Sequence, residues 1–320
     1  MTDEHYDIII IGTGAAGLSA GVYAGRYNMK ALIFGAEFGG ETAKAGSVEN
    51  WPGDIATDGY DLMARMKKHA EHVGAKVIED EVISVSKIGT CFSVKTKEVE
   101  YHTTNVVFAQ GSKRRRLGLP NEDELTSNGV HFCVTCDGPI YTGKTVALVG
   151  GGDAAAKGAH LIAEYVNKVY VLVRGDKMRA EPVNVERLVK MPEKITILYN
   201  AEVKEIKKTP DGKFGGITLS RNHKETPDLP IDGLFIEVGA DPNVGLAKDA
   251  GVLLDTIGHV ATDNMMQTNV PGLYAAGDIV AHFGHFKQDI TASAMGAVAA
   301  TSAYAHFKEH LEKGGCKHEN

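Results

Sequence analysis

Two cysteines three positions apart, Cys133 and Cys136, carry the clearest chemical signal of this 320-residue chain. They stand in the sequence C-V-T-C-D-G at residues 133–138. Such a C-x-x-C pair can close a small disulfide ring and open it again, which is the chemistry of a redox pair. The carboxyl of Asp137, directly after the second thiol, is placed to exchange protons with a departing thiolate. The segment therefore predicts a thiol–disulfide centre with Asp137 as its acid and base.

Half of a zinc site is the alternative interpretation of the cysteine pair. Zinc takes four ligands, usually two such pairs or one pair with histidines. The other two cysteines, Cys91 and Cys316, stand alone in the sequence, and only His131 lies close to the C-x-x-C pair. We therefore predict no metal site, and we expect Cys316 to belong to a frayed carboxyl terminus.

The composition is that of an ordinary globular protein. Hydrophobic residues make up 43% of the chain and charged residues 23%, which suits a sizeable core. The length suggests roughly two domains. A net charge of −7 gives no reason to expect a nucleic acid or an anionic membrane as partner. The short basic run at 113–116 is interpreted as a solvated loop, with a docking or phosphate-binding patch as the alternative.

Neither a membrane span nor a secretion signal is expected. The sequence has no apolar run of about 18 residues. Residues 1–5 are polar and acidic and run straight into a predicted strand, which is unlike a signal peptide. The four cysteines do not form a secreted disulfide scaffold. We therefore expect a cytoplasmic protein, in which the C-x-x-C is a working thiol pair rather than a structural crosslink.

A strand, a glycine-rich turn and a helix follow one another near the amino terminus. Residues 8–11 are four isoleucines, residues 12–17 have the sequence G-T-G-A-A-G, and an Ala-rich stretch with helical spacing covers 18–27. In this order the pattern predicts a dinucleotide-binding unit, because the glycines allow a tight turn and the helix amino terminus faces the phosphates. Glu37, after a strand predicted at 30–34, is the candidate for the ribose hydroxyls; a plain loop acid is the alternative.

The same construction recurs downstream. A strand is predicted at 145–149, the sequence G-G-G-D-A-A covers 150–155, and a helix is predicted at 156–165. A second strand, at 169–173, ends at Arg174. A basic residue at that place, instead of the usual acid, favours a 2′-phosphate and hence NADP over NAD. Arg179, in the following loop, is expected to close the same pocket.

A third signature, V-P-G-L-Y-A-A-G-D at residues 270–278, is a predicted strand ending in Gly-Asp, before an Ala-rich helix at 291–304. Taken alone it would be an ordinary turn. Together, the motifs in this order resemble the low-molecular-weight thioredoxin reductases, the two-domain flavoprotein disulfide reductases, along nearly the whole chain. The matching segments are Gly12–Gly17, Gly39-Gly40, Glu49–Gly53, Cys133–Gly138, Gly150–Ala155, Arg174 with Arg179-Ala180-Glu181, and Ala275–Asp278 with Lys287-Gln288.

The resemblance implies an α/β fold of two Rossmann-like, three-layer dinucleotide-binding domains. Residues 1–116 and 244–320 would form a discontinuous FAD domain. Residues 117–243 would form an inserted NAD(P)H domain that carries the C-x-x-C. Gly- and Pro-containing segments at 118–120 and 239–242 suit the hinges of a rotating domain.

The resemblance also implies a role for each site residue. Cys136 would lie beside the flavin, Cys133 would attack the disulfide of the partner, and Asp137 would be the acid and base. The FAD contacts of the family fall on Gly12, Gly14, Ala15, Ala16, Gly17, Glu37, Gly40, Glu41, Asn50, Val82, Gly111, Asp278, Lys287 and Gln288. The NADPH contacts fall on Gly150, Gly152, Asp153, Ala154, Arg174, Arg179 and Gly239.

The implied activity is transfer of electrons from NADPH through FAD to the cysteine pair and on to thioredoxin, by a homodimer. The chain departs from the family at 173–175, where V-R-G replaces His-Arg-Arg, so that one phosphate arginine is missing. NADH or another donor, and a glutaredoxin or peroxiredoxin acceptor, therefore remain alternatives. A non-catalytic flavin- or zinc-binding module is the alternative from another class. The His/Phe-rich loop at 279–286 is expected to lie beside the flavin rather than bind a metal.

Overall fold

The computed structural model describes residues 5–44, 47–48, 50–223, 226–284 and 286–316. The chain divides into two compact units. Unit 1 consists of Met1–Lys113 and Pro242–Asn320, and unit 2 consists of Arg114–Asp241. Unit 2 is thus an insertion in the sequence of unit 1, and each unit has its own sheets.

Strands and helices alternate in the way that α/β proteins require. The strands are β1 His5–Ile11, β2 Ala31–Phe34, β3 Ser47–Val48, β4 Thr57–Asp58, β5 Lys76–Ile78, β6 Ser84–Ile88, β7 Cys91–Lys95, β8 Glu100–Phe108, β9 Ser112–Arg114, β10 Val130–His131, β11 Thr145–Val149, β12 Lys168–Val173, β13 Ile195–Tyr199, β14 Val203–Lys208, β15 Phe214–His223, β16 Thr226–Leu229, β17 Gly233–Ile236, β18 Ala240–Pro242 and β19 Leu273–Ala275. The α-helices are α1 Ala15–Arg26, α2 Gly40–Ala43, α3 Gly59–His72, α4 Val134–Asp137, α5 Asp153–Ile162, α6 Pro182–Val189, α7 Gly245–Asp249 and α8 Asp289–Glu312, and Gly138–Tyr141 forms a 3₁₀-helix.

The main sheet of unit 1 has the strand order β5-β2-β1-β8-β7-β6, and β19 also pairs with β8. Its central pairs are parallel, whereas β6 and β7 are antiparallel additions next to β8. Every residue of β2 and the last four of β1 are buried. Continuous apolar runs of this kind are typical of parallel strands covered on both faces. The core of unit 1 therefore surrounds the isoleucine run from which the first strand was predicted.

Helix α8 packs against α1 at very short range because both helices present small side chains. A Cβ atom added at Gly296 would lie 2.0 Å from the carbonyl oxygen of Ala16. Ser293 Oγ donates a hydrogen bond to the carbonyl of Ala15 at 3.4 Å. Helix α8 extends from 289 to 312, beyond the predicted 291–304, because residues with good helix propensity follow its Ala-rich half.

Unit 2 contains a parallel five-stranded sheet of order β10-β17-β11-β12-β13 and an antiparallel sheet of order β14-β15-β16. The predicted strands at 145–149 and 169–173 are observed as β11 and β12. Helix α5 begins at Asp153, earlier than the predicted start at 156, and Gly152 is its N-cap. The last residues of the glycine-rich segment are therefore helical. Two further sheets have two strands each: β3 pairs with β4 in unit 1, and β9 pairs with β18 in the segments where the sequence passes from one unit to the other.

The expectation that Cys91 and Cys316 stand alone is wrong. The structure joins them in a disulfide with a Cα–Cα distance of 5.6 Å across a sequence separation of 225 residues. Cys316 follows the end of α8 and is only partly exposed, so the chain is not frayed at this point. Sequence spacing could not reveal the pair, because only the tertiary fold brings β7 next to the end of α8. Within the described residues, no helix has both the length and the apolar character needed to cross a membrane.

Candidate active site

The first glycine-rich loop links the end of β1 to the start of α1. Gly12 has φ 127°, and a Cβ atom there would lie 2.1 Å from the carbonyl oxygen of Ala109. A Cβ atom at Gly17 would lie 1.8 Å from the carbonyl oxygen of Gly12. Gly14 caps α1 without a side-chain hydrogen bond, so Ala15 and Ala16 start a 12-residue helix whose first N–H groups no side chain caps. This loop has the features of a phosphate site.

Two predicted residues of the following loop lie next to this turn. Thr13 Oγ1 donates a hydrogen bond to the carbonyl of Glu37 at 2.9 Å. A Cβ atom at Gly40 would lie 3.6 Å from Gly14 Cα, so the two glycines approach each other. The carboxylate of Glu37 pairs with Lys44 Nζ at 2.7 Å and is largely exposed. The backbone at 37–40 therefore borders the site, while the Glu37 side chain also has a partner within the protein.

Hydrogen bonds join three distant segments of unit 1 at the amino end of α8. Gln288 caps this helix in a capping box with Thr291. Asn50 Nδ2 donates to Gln288 Oε1 at 2.6 Å, and Thr42 Oγ1 donates to Asp289 Oδ1. Of the predicted FAD contacts, Asn50 and Gln288 are thus directly bonded to each other. Glu49, in the matching segment 49–53, lies outside the described residues.

Burial shapes the electrostatics of the Gly-Asp turn after β19. Lys287 Nζ donates hydrogen bonds to the carbonyls of Asp278 and Val280. Burial lowers the pKa of Lys287, and burial raises the pKa of the Asp278 carboxyl, an effect that Lys287 partly offsets. Burial also raises the pKa of Asp289, against its hydrogen bond from Thr42. A partly buried carboxylate at 278 can accept a hydrogen bond from a ligand hydroxyl.

The described residues of this region fit a flavin dinucleotide. Gln110 Oε1 is buried and has no hydrogen-bond partner within the described part of the protein. A buried acceptor of this kind is rare unless a ligand or water completes it. The neighbouring Gly111 has φ 62°, and a Cβ atom there would meet nothing within 4 Å. Val82 is 6% exposed and belongs to the same core as the glycine-rich turn. Unit 1 therefore combines a buried oxygen that has no partner among the described residues, a glycine with free space at its Cβ position, and an uncapped helix amino terminus.

The second glycine-rich loop has the same construction in unit 2. Gly150 has φ 154°, and a Cβ atom there would lie 2.3 Å from the carbonyl oxygen of Glu237. Gly152 caps α5 without a side-chain bond, and a Cβ atom there meets nothing within 4 Å. Asp153 and Ala154 form the first residues of this helix. The loop can therefore receive a second dinucleotide phosphate.

Asp153 also has a structural partner that the sequence did not suggest. Its Oδ1 atom accepts hydrogen bonds from the backbone N–H of Glu181 and from Asn184 Nδ2, both at 2.8 Å. Arg179 N–H donates to the carbonyl of Gly151 at 2.6 Å. The segment that contains Arg179 is thereby fixed against the glycine-rich loop, as a pocket-closing residue requires.

The two arginines predicted to bind the 2′-phosphate are exposed. Arg174 follows the last residue of β12, whose Val173 Cγ1 atom lies 3.2 Å from the Cβ position of Gly151. Neither Arg174 nor Arg179 has a carboxylate partner among the described residues. Gly239 is located after β17, with φ 99°, and its Cβ position lies 3.9 Å from a nitrogen of Arg115. Two unpaired guanidinium groups beside a phosphate-type loop can bind an anion.

The cysteine motif lies on helix α4, in the same unit as the second loop. Cys133 precedes this helix, is disulfide-bonded, and accepts a backbone hydrogen bond from Asp137 N–H at 3.1 Å. The side chain of Cys136 lies outside the described part of the structure. A Cβ atom at Gly158 would lie 3.1 Å from Val134 Cγ2, so α4 packs closely on α5. This contact positions the motif on the helix that begins at the second glycine-rich loop.

A buried histidine stands behind the predicted acid. His131 is 2% exposed, and its Nδ1 atom lies 3.0 Å from Asp137 Oδ2, although the approach is not that of a well-directed hydrogen bond. Its Nε2 atom lies 2.7 Å from Tyr141 Oη. Burial lowers the pKa of His131, against the attraction of Asp137, and burial raises the pKa of Tyr141 to about 12. Sequence reasoning noted His131 only as a neighbour of the cysteines and did not include Tyr141.

The predicted site residues thus form two groups rather than one. The FAD candidates all belong to unit 1, and the NADPH candidates all belong to unit 2. In the His/Phe-rich loop, His282 and Phe283 contact each other edge to face, with ring centroids 4.9 Å apart. His285 lies outside the described residues.

Comparison with known proteins shows the family. Residues 6–301 match the family model described as pyridine nucleotide-disulphide oxidoreductase, and the chain belongs to this family. It is 37% identical over 309 residues to the thioredoxin reductase of Coxiella burnetii, covering 94% of this chain and 96% of that protein. It is also 37% identical to the NADPH-dependent thioredoxin reductase 3 of Arabidopsis thaliana, covering 93% of this chain and 57% of that protein.

A solved structure agrees with these relatives. The thioredoxin reductase of Lactococcus lactis, in its FR conformation, superposes with a TM-score of 0.89 at 32% identity, covering 95% of this chain and 99% of that chain. The predicted fold class, two α/β dinucleotide-binding domains with one inserted in the other, is confirmed. The predicted membership of the flavoprotein disulfide reductases is confirmed as well.

Proposed function

We propose that this protein is an NADPH-dependent thioredoxin reductase that works through FAD and the Cys133–Cys136 pair. The observation that carries the proposal is the location of the cysteine motif on α4, packed on the same helix α5 that begins at the second glycine-rich loop. Relatives called thioredoxin reductase over nearly the whole chain support it. The net reaction converts NADPH, a proton and oxidised thioredoxin into NADP⁺ and the thioredoxin dithiol.

In this proposal unit 1 holds FAD. The loop 12–17 and the amino end of α1 would receive the pyrophosphate, and Asp278 would accept a hydrogen bond from a hydroxyl of the ribityl chain. The amide of Gln110 would gain the partner that it lacks within the described residues. When bound, the flavin supplies two-electron chemistry between a nicotinamide and a disulfide.

The cysteines carry the electrons to the acceptor. Cys133 would attack one sulfur of the thioredoxin disulfide, which forms a mixed disulfide and releases the other thiolate. Cys136 would then attack Cys133, which frees the second thioredoxin thiol and restores the Cys133–Cys136 disulfide. Asp137 would donate the proton that each departing thiolate needs, and His131 would hold its carboxyl.

The identity of the electron donor depends on Arg174 and Arg179. Both are exposed and unpaired among the described residues, which supports a 2′-phosphate and therefore NADPH. Gly175 stands where a further arginine is usual, and a lost charge-assisted contact reduces affinity by about 1.5–3 kcal/mol. The preference for NADPH over NADH would then narrow by about one to two orders of magnitude. NADH is accordingly the second candidate donor.

The same proposal includes the cellular compartment, the oligomeric state and the electron acceptor. We place the protein in the cytoplasm as a homodimer, with thioredoxin or a thioredoxin-like protein as its acceptor. A glutaredoxin or peroxiredoxin is the alternative acceptor, because acceptor choice depends on surface shape that the site residues do not determine.

Anaerobic rapid mixing tests the proposal. The flavin-loaded protein is mixed with NADPH or NADH, and flavin absorbance is followed; reduced thioredoxin is then assayed by a coupled insulin-reduction reaction. We expect rapid flavin bleaching by NADPH, slower bleaching by NADH, and thioredoxin turnover. The double variant Cys133→Ser/Cys136→Ser should keep the bleaching and lose thioredoxin reduction. Bleaching by dithionite but by neither nucleotide would contradict the NADPH proposal, and reduction of glutaredoxin alone would contradict the acceptor.

A further inference from the structure

A second group of sulfur and nitrogen atoms lies in unit 1, apart from the cysteine motif of unit 2. It consists of Cys91 at the start of β7, Cys316 after α8, His5 at the start of β1 and His310 near the end of α8. We call these four residues the terminal cluster. The four residues come from three separate parts of the sequence, so the fold itself assembles the group.

The terminal cluster is remote from the proposed FAD loop. His5 begins β1 and Gly12 follows its last residue. Seven residues of extended strand separate the two by about 23 Å. Cys91 is 2% exposed and Cys316 is partly exposed. The disulfide between them therefore lies at the opposite end of β1 from the first glycine-rich loop.

Three of the four residues already present donor atoms close enough to share one metal ion, and His310 lies next to one of these three, Cys91. One donor atom each of His5, Cys91 and Cys316 lies within 4.8 Å of the others. His5 lies 3.4 Å (Nε2) and 3.8 Å (Nδ1) from Cys316 Sγ, and His310 Nε2 lies 3.4 Å from Cys91 Sγ. Zinc bound at about 2.3 Å to sulfur and 2.0–2.1 Å to nitrogen separates such ligands by about 3.6 Å.

We propose that the terminal cluster binds one zinc ion when Cys91 and Cys316 are reduced, and that their disulfide is its oxidised, metal-free form. A thiol reductant would transfer two electrons and two protons to the Cys91–Cys316 bond and leave as its own disulfide. The two thiols then release two protons as their thiolates bind Zn²⁺ with His5 and His310. Two sulfur and two imidazole ligands are a set that structural zinc sites use.

The surroundings of the cluster suit this exchange. Gly314 and Gly315, with φ of 97° and 73°, precede Cys316. A glycine pair allows the local rearrangement by which two sulfurs move from a covalent bond to the separation of about 3.8 Å found between zinc ligands. His5 Nε2 lies 3.0 Å from Thr104 Oγ1 and 3.4 Å from Cys316 Sγ. A polar partner beside the ring helps to orient a ligating histidine.

Either a bound metal ion or the disulfide would crosslink the end of α8 to the main sheet of unit 1. The amino end of the same helix carries Gln288 and Asp289 at the proposed FAD site. The opposite end carries His310, and Cys316 follows it. The terminal cluster would therefore keep α8 attached to β1 and β7 in both oxidising and reducing surroundings.

Cobalt and zinc binding to the full-length holoenzyme test the proposal. The protein is reduced with dithiothreitol, freed of reductant and metal under argon, and titrated with Co²⁺ and then Zn²⁺. We expect one equivalent of Co²⁺ with thiolate-to-metal charge-transfer absorption, displaced by Zn²⁺. Cys316→Ser should weaken binding on the order of 100-fold. The Cys133→Ser/Cys136→Ser variant and His72→Gln, on α3, should bind as the wild type does.

A second measurement uses the wild-type protein alone, so that no variant has to fold. The reduced protein is alkylated with and without Zn²⁺, and each cysteine is quantified by peptide mass spectrometry. We expect Zn²⁺ to protect Cys91 and Cys316 at least tenfold and to be released when the disulfide reforms. Equal alkylation with and without Zn²⁺, or cobalt–thiolate absorption that survives in Cys91→Ser/Cys316→Ser, would overturn the proposal.

Discussion

The Nδ1 atom of His131 lies 3.0 Å from Oδ2 of Asp137, so a buried imidazole contacts the proposed acid and base of the thiol centre. Tyr141 Oη lies 2.7 Å from the other ring nitrogen. Because burial raises the pKa of Tyr141 to about 12, its hydroxyl stays protonated and donates to Nε2. The imidazole proton is then on Nδ1, facing the carboxylate. His131 therefore contacts the carboxyl of Asp137 from the buried side of the motif.

The variant His131→Phe should slow the thiol–disulfide step. It removes the contact to Asp137 but keeps a ring stacked near Phe235, whose centroid lies 5.1 Å away. We expect thioredoxin turnover to fall about tenfold, less than the 10²–10⁴-fold of a general acid itself, because His131 acts through Asp137. Flavin reduction by NADPH should not change. Rapid mixing measures the two steps separately, across pH 6 to 9.

Tyr141→Phe is the matched control, because it deletes only the hydroxyl on the far side of His131. It should reduce turnover less than His131→Phe does. The double variant should equal His131→Phe alone, since the phenol has no other proposed route to Asp137. If His131→Phe keeps wild-type turnover and the same pH profile, the histidine is only a core residue.

Arg174→Ala should narrow nucleotide selectivity. Removing a charge-assisted contact to the 2′-phosphate should lower kcat/KM for NADPH by about 10–100-fold and leave kcat/KM for NADH nearly unchanged. Arg187→Ala is the control, because Arg187 is another exposed arginine of unit 2, on α6. Steady-state kinetics with both nucleotides measure the ratio. An equal loss for NADPH and NADH would assign Arg174 to general binding and not to the 2′-phosphate.

Asp278→Asn should stabilise the flavin-free protein at neutral pH while weakening flavin binding. Burial raises the pKa of Asp278, so the folded state binds its proton more tightly than the unfolded state does. Its contribution to stability is therefore present below about pH 4 and is lost as the pH rises through the folded pKa. The uncharged amide avoids this loss. We expect the free energy of unfolding to rise by about 1 kcal/mol at pH 7.5.

Urea unfolding of the flavin-free wild type and variant at several pH values between 4 and 7.5 measures this difference. The gain of Asp278→Asn should shrink as the pH falls, because the wild-type carboxyl then becomes protonated. Thr301→Ala, on the distal part of α8, is a reference for an unrelated change. A gain that is independent of pH would show that the carboxyl charge is not its cause.

Local signals in the sequence predicted the parts of this fold that short-range physics determines. The loops at Gly12 and Gly150 were found because glycine, strand and helix follow each other directly along the chain. The contact of His131 with Asp137 was missed, although only six positions separate them, because it depends on how the chain turns between β10 and α4. The Cys91–Cys316 bond was missed because nothing in the local sequence around either cysteine indicates the other.

The role of Gly158 also depends on a tertiary contact that the local sequence does not indicate. Gly158 lies within helix α5, after the second glycine-rich loop, where a glycine costs helix stability. In the structure its missing side chain allows Val134 of the cysteine-bearing helix to approach within 3.1 Å of its Cβ position. A glycine that weakens a helix is therefore explained by the partner that it admits.

Gly296→Ala should destabilise unit 1 although alanine favours a helix by about 1 kcal/mol over glycine. The new Cβ atom would lie 2.0 Å from the carbonyl oxygen of Ala16, which is backbone and cannot rotate away. Helix α8 must then shift from α1 beside the first glycine-rich loop. We expect a loss of about 2–4 kcal/mol in the free energy of unfolding and a protein purified with less flavin. Gly245→Ala, at the start of α7 where a Cβ atom meets nothing within 4 Å, should lose neither. Urea unfolding and the flavin-to-protein absorbance ratio measure both effects, and an unchanged Gly296→Ala variant would show that the two helices can separate without cost.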